Sequence, residues 1–340
     1  MRFLYVAPRY HTNQVPIIRG LKRKGHEVCF LSQYAGKVED YSDLTPTVIG
    51  YSGFFLFFDR IYMALMKNRD AYAGDRKMKC GFPPIGKLKR AIRDSHGDVA
   101  ILRERSVYSI CAYLLCKKYK IPAILYNQSP LWEDCIKNDP AHRLMRLLTP
   151  TVRMTPVMGV QDGRKVKEPG AAFVPFVMEP EQKAEEKRWI KDGITHIFSI
   201  GKYEERKNHR MLVEIVEELS AVYNIHLTIA GERTTSAHQA YYDRLAAYIA
   251  DHGLQDKVTL LVNLNRQQVA EQYRKADLFV IPSTREPASI SQLEAMAFSL
   301  PVVCGDKNGT ACYVENGVNG WQFQDNQKAS LKEVLDKMIG

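Results

Sequence analysis

The sequence predicts an α/β protein built from two doubly wound domains, each a parallel sheet with helices on both faces. Short apolar runs recur along all 340 residues and amphipathic helical stretches alternate with them. A charged stretch over 175–192, with prolines at 175 and 180, interrupts the alternation. With 45% hydrophobic residues, a chain of this length can bury two cores. The expected division is a first domain over 1–178, a linker over 179–192 and a second domain over 193–340.

Taken in order, 2–7 reads as a strand, 14–24 as an amphipathic helix stopped by Gly25, and 26–31 as the next strand. That is a βαβ unit, whose crossover is right-handed. Residues 98–102, 108–118 and 121–125 repeat the pattern, and 152–157 and 171–174 close the first sheet. The second domain restarts with strands over 195–200, 225–230, 257–262, 278–281 and 301–304. No internal repeat or low-complexity tract interrupts either half.

Charge is unevenly placed. Residues 1–180 hold 29 Lys and Arg against 16 Asp and Glu, whereas 181–340 hold 19 against 22. A basic half suits nucleic acid, or an anionic surface and an anionic acceptor. No helix-turn-helix, RNP-type or OB-type pattern occurs, so nucleic acid is not expected and a membrane leaflet carrying a lipid-phosphate acceptor is favoured. The seven cysteines form no CxxC or Cys/His ligand spacing, which implies reduced thiols in a cytosol and no bound metal. There is no Asp-x-Asp clamp for a metal-bridged diphosphate. Residues 1–8 form a first strand with no apolar helix behind it, the pattern of a cytoplasmic chain without a signal peptide. The apolar stretch 53–66 is too short, and too charged at Asp59-Arg60, to span a bilayer. It either packs on the first-domain core or meets a membrane interface or lipid acceptor, flanked by Lys67, Arg69, Arg76, Lys77 and Lys79.

In open parallel sheets ligands sit at the carboxyl ends of strands, so residues just after each strand are candidates. After 278–281 comes Glu286, and Ser289 with Gln292 three residues on has the form of a capping box. Glu294 then projects from the helix, and the free amides of Ile290 and Ser291 make an anion site. Two carboxylates with an anion cradle between them suit a ligand with hydroxyls at both ends and phosphates in the middle, such as a nucleotide-sugar. After 195–200 come Gly201, Lys202 and Lys207, placed to stabilise a departing diphosphate. A hydrolase would also use two carboxylates, but it leaves the Gly-Lys turn unexplained.

The segment from Glu286 to Glu294, Pro301-Val302-Val303 and Glu315-Asn316-Gly317-Val318-Asn319-Gly320 resembles the donor site of retaining GT-B glycosyltransferases of family 4. Phe198-Ser199-Ile200-Gly201-Lys202, continuing to Lys207-Asn208, is similar to that family's strand, Gly-Arg/Lys turn and downstream lysine. The likeness runs from about 195 to 323. It implies two Rossmann-like domains facing across a cleft, and metal-independent transfer with retention from a nucleotide-sugar, most commonly a UDP-sugar. The acceptor would be a glycan or lipid-linked saccharide, in cell-surface polysaccharide synthesis. No cofactor is implied.

By the same resemblance Glu294 binds the ribose diol and Glu286 a sugar hydroxyl beside the reacting carbon. Asn263, in the loop 262–265, would meet the base through its backbone. The N-terminal half departs from the family. In place of a glycine-rich loop stands Pro8-Arg9-Tyr10-His11-Thr12-Asn13-Gln14, in which Thr12 or Asn13 would cap the first helix. His11 either meets an acceptor phosphate or is simply packed. Gln128 falls where relatives often carry a histidine, and Arg103 and Arg105 are further acceptor-side candidates. Relatives continue past a helix such as 330–338 with helices that pack back across both domains; this sequence ends at Gly340. A nucleotide-sugar epimerase, or an inactive nucleotide-sugar-binding protein, would share the fold.

Overall fold

The computed structural model describes residues 1–36, 41–65, 73–103, 106–130, 140–161 and 163–340. It divides into two compact units: one holds most of the chain up to Val177, the other Val157–Val166 and Met178–Gly340.

The first unit begins with β1 (Arg2–Ala7), α1 (Val15–Arg23), β2 (Glu27–Ser32) and the short β3 (Thr47–Val48). Helices α2 (Gly53–Leu65), α3 (Ala73–Cys80) and α4 (Ile85–Asp94) follow, then β4 (Val99–Arg103), α5 (Val107–Lys118), β5 (Ala123–Tyr126), α6 (Pro140–Leu147) and β6 (Arg153–Thr155). A hairpin, β7 (Gly159–Gln161) with β8 (Arg164–Val166), precedes β9 (Ala171–Phe173). The sheet runs β3-β2-β1-β4-β5-β6-β9, parallel throughout. Its direction of winding reverses between β1 and β4, the switch point where strand ends open a crevice. Leu88, Ile92, Ala112 and Cys116 pack one face, and Tyr10, Ile18 and Phe30 the other.

In the second unit β10 (Thr195–Ile200), α7 (His209–Leu219), β11 (Ile225–Gly231), α8 (Ser236–Asp251), β12 (Val258–Val262) and α9 (Arg266–Lys275) alternate. They are followed by β13 (Leu278–Ile281), α10 (Ile290–Ala297), β14 (Val302–Gly305), β15 (Gly320–Phe323) and α11 (Lys328–Ile339). The sheet order is β12-β11-β10-β13-β14-β15, again parallel, with its switch point between β10 and β13. Every residue of β13 and β14 is buried, as continuous apolar runs in a sheet covered on both faces must be. Leu212, Val216, Leu245 and Leu331 cover one face; Tyr273 and Phe298 cover the other.

Two assignments from sequence are corrected. Residues 157–166 were placed in the first domain, but the hairpin bonds within the second unit: the Met158 amide donates to Gly309 O at 3.1 Å and Lys165 Nζ to Ala311 O at 3.1 Å. The stretch 179–192, read as a linker, belongs to the second unit and is docked on it. Glu181 N donates to Ala297 O at 2.8 Å, Lys187 Nζ reaches the carbonyls of Tyr273 and Arg274, and Ile190 N donates to Asp277 Oδ1 at 2.8 Å. Polar backbone in a charged segment finds partners at helix ends and so is not left to solvent. Among the described residues no helix is long and apolar enough to cross a membrane.

Candidate functional site

The second unit's switch point gathers most of the donor-side residues. Gly201 follows β10, and the chain makes a short turn over Glu205–Lys207 before Asn208, at φ 51°, caps the start of α7. Lys207 folds back so closely over Gly201 that a Cβ there would lie 3.0 Å from its Cδ. From the other side of the switch point, the loop after β13 is tied to this turn. Thr284 N donates to Arg206 O at 2.9 Å, and Asn208 Nδ2 to Thr284 Oγ1 at 2.7 Å. Arg285 takes the left-handed conformation (φ 47°), held by its amide on Asp325 Oδ1 at 3.1 Å. Such a backbone is costly for a residue with a Cβ, and here it aims the next side chain, Glu286.

Glu286 is gripped by two cations. Lys207 Nζ lies 2.6 Å and Arg206 Nη1 2.8 Å from the same oxygen, Oε2. Burial opposes ionisation of this carboxyl, yet the charges and hydrogen bonds of Lys207 and Arg206 prevail and hold it below the usual carboxylate range. The two lysines named from sequence are not equivalent. Lys207 is 15% exposed and points at Glu286, whereas Lys202 is 52% exposed and meets Glu232 only at 3.9 Å.

Helix α10 starts as expected at Ser289, whose Oγ accepts from Gln292 N at 3.3 Å. The reciprocal half of the capping box is absent. Gln292 instead turns into the interior, donating to Thr310 O at 2.9 Å and accepting at Oε1 from Asn308 Nδ2 and Thr310 Oγ1, both at 2.9 Å. Thr310 Oγ1 also accepts from Ser289 N at 3.3 Å, and Gly309 N donates to Glu286 O at 2.8 Å. All three side chains are essentially inaccessible to water, and a Cβ on Gly309 would sit 2.0 Å from Pro287 O. This buried knot, with its members mutually satisfied, fixes the loop 286–289. Among the described residues the Ile290 and Ser291 amides have no hydrogen-bond partner, as the first turn of a helix requires.

Glu294 lies on α10 with its Oε2 3.2 Å from the Tyr273 hydroxyl. Burial pushes its carboxyl above the usual range, Glu181 adding to this and Tyr273 and Arg266 opposing it. Asn263, at φ 53°, spends its side chain on Arg233: Oδ1 accepts from the Arg233 amide at 2.8 Å and Nδ2 donates to its carbonyl at 3.3 Å. It therefore shapes the loop after β11, and with its amide donating to Gly231 O at 2.9 Å only its carbonyl is left for a ligand.

At the first unit's switch point His11 follows β1 and Arg103 ends β4. Arg103 Nη2 donates to Gln128 Oε1, and Gln128 Nε2 lies 3.1 Å from the Tyr126 hydroxyl. Neither Thr12 nor Asn13 caps α1, whose N-cap is Gln14 without a side-chain bond; His11 instead caps the single turn Thr12–Gln14 that precedes it, its Nδ1 accepting from Thr12 Oγ1 at 3.2 Å and Asn13 N at 3.5 Å. Burial, with Arg9 and Arg103 nearby, lowers its pKa to about 3, so the ring is neutral. Arg105 lies outside the described residues. No group of three or more His, Cys, Asp and Glu side chains converges among the described residues.

Sequence reasoning missed Arg206, Tyr273 and the trio Gln292, Asn308 and Thr310. The rule that flagged the ends of β10 and β13 applies equally to the polar run after β14, and it would have found Asn308 and Thr310.

The family model of glycosyl transferases group 1 matches residues 181–340. Over this segment the chain resembles the group 1 glycosyltransferases. An uncharacterized glycosyltransferase of Methanocaldococcus jannaschii is 30% identical over 138 residues, 40% of this chain and 34% of that protein. A D-inositol 3-phosphate glycosyltransferase of Nocardia farcinica is 25% identical over 183 residues, 53% of this chain and 40% of that protein. The matches thus span well under half the length of these curated relatives. The solved structure of Anabaena HepE in complex with UDP superposes with a TM-score of 0.69 at 13% identity, covering 100% of this chain and 90% of that one. The chain has the GT-B fold, and the segment matched by the family model lies within the second unit.

Proposed function

We propose that this protein transfers a sugar from a nucleoside diphosphate sugar, without a metal and with retention of configuration. The acceptor we infer is a saccharide, lipid-linked at the cytoplasmic face of a membrane, in cell-surface polysaccharide assembly. The observation that carries this is the Glu286 carboxylate clamped by Lys207 and Arg206 at the switch point, with the open first turn of α10 following in the chain. A diphosphate takes the lysine and the amides of Ile290 and Ser291, and Glu286 is left to accept from a sugar hydroxyl. Glu294, oriented by Tyr273, accepts from the ribose diol.

The bond from the anomeric carbon to the leaving phosphate oxygen breaks as the acceptor oxygen bonds to that carbon from the same face. The acceptor's proton passes to the phosphate oxygen. Lys207 and the helix amides stabilise the charge that develops there, and no covalent intermediate on the protein is required. The UDP held by HepE favours uridine as the base. On the acceptor side His11, Arg103 and Gln128 offer hydrogen-bond donors suited to an anionic group, and Asn263 lends its backbone carbonyl to the base.

A thermal-shift panel with UDP, GDP, ADP and CMP and their sugar conjugates tests the donor site. At a hundredfold excess over Kd a ligand adds about 2.7 kcal/mol of apparent stability. The expected result is a shift with one base that Glu294→Ala abolishes; no shift with any would overturn the reading. Nucleotide release that needs an acceptor distinguishes a transferase from an epimerase, which converts donor alone, and from a binding protein, which releases none.

A further inference from the structure

Helix α2 is built inside out. Its only buried residue is Asp59, 6% exposed, which is held by the Arg76 guanidinium and by Lys77 Nζ at 3.4 Å. Arg76 also lies over the Tyr62 ring, 4.2 Å from its centroid. On the outside, Phe54, Phe57, Phe58, Ile61 and Leu65 recur at the three- and four-residue spacing of one helical face. Phe54 is 73%, Phe57 61% and Leu65 79% exposed. Sequence left open whether this stretch packs on the first core; the face it turns outward is the apolar one.

A continuous apolar stripe in water needs an occupant, and the surrounding charge says which. Residues 53–93 hold ten Lys and Arg against three Asp and Glu. The exposed charges described on α2 and α3 are Arg60 and Lys79, both cationic, while Asp59 is consumed internally by Arg76 and Lys77. Two copies of so basic a face would repel each other. An apolar stripe flanked by cations fits a bilayer surface carrying anionic lipid, the stripe sunk among acyl chains and the cations at the phosphates.

We propose that α2 is a membrane-docking helix that seats the first unit on an anionic bilayer. This goes beyond the donor chemistry and does not depend on it. Flotation of the full chain with phosphatidylcholine vesicles, with and without one-third phosphatidylglycerol, tests it. The wild type is expected to float with the anionic vesicles, and less so at about 0.5 M salt, where charge is screened. Phe54→Ser, Phe57→Ser and Leu65→Ser together should cut binding at least about tenfold while leaving the melting temperature unchanged, since all three side chains face solvent. Arg60→Ala with Lys79→Ala should erase the preference for phosphatidylglycerol. Absence of wild-type flotation, flotation undiminished by the serines, or a wild-type dimer in light scattering that the serines dissolve would each overturn the proposal. None of these results bears on nucleotide binding, so this idea and the donor-site reading fail separately.

Discussion

The two sheets reverse their winding at equivalent places, after β1 and β4 in one unit and after β10 and β13 in the other, yet they put opposite chemistry there. In the second unit a carboxylate is clamped by two cations and the loop that carries it is locked by a buried polar knot. In the first, Arg9, His11, Arg103 and Gln128 are cationic or neutral, and the Glu168 carboxylate accepts from Asn127 and is paired with Arg153. The shared topology gives each unit a crevice; on the proposed function, the side chains at the strand ends suit one to a particular ligand and the other to an anionic group.

The largest expected effect would break that contrast. Lys207→Ala removes a cation from the place where we propose charge develops, and should lower kcat by about 10²–10³-fold in a transfer assay. A loss below tenfold would mean that Lys207 only neutralises Glu286.

Next comes acid stability. His209, fully packed behind the Gly-Lys turn, has its pKa lowered to about 4 by burial and by Lys207. Above the unfolded value of about 6.5 its full contribution is present; as pH falls toward the folded value the unfolded chain binds the proton first, and stability is lost. His209→Phe should therefore flatten the acid limb, sparing on the order of 3 kcal/mol near pH 4, as read by urea denaturation at several pH values. His11 shifts in the same direction, so part of the acid loss will persist in that variant.

Arg103→Ala should raise the acceptor KM about tenfold and leave nucleotide affinity alone, which sharpens the division of labour between the units. An equal effect on both substrates would erase it. Smallest of all is Lys202→Ala, expected to change kcat/KM by less than about threefold, because a half-exposed ammonium paired at 3.9 Å is largely screened.

How much of this could be read from sequence depended on whether the signal was local. β10 and β13 fall within the bounds read from their apolar runs, because a buried parallel strand is a run that only its turn residues can end. Ser289 announced a helix start because a cap is a local hydrogen bond. What escaped involves partners distant in sequence. Arg206 meets Glu286 across 80 residues and Tyr273 meets Glu294 across 21. Gln292 satisfied a local pattern yet was captured by Thr310, because a buried amide with several bonding groups goes where most of them are met. The separation of Lys202 from Lys207 was equally illegible, since it turns on which way a short turn folds back.

On the proposed function, the clamp on Glu286 acts as a coincidence detector. A lone phosphate must take Lys207 from a carboxylate 2.6 Å away, and a lone sugar meets a carboxylate already neutralised. Only a molecule that brings phosphate and hydroxyl together can exchange both halves of the pair at once. The proposed site would in this way ignore the free phosphates and free sugars that crowd any cell.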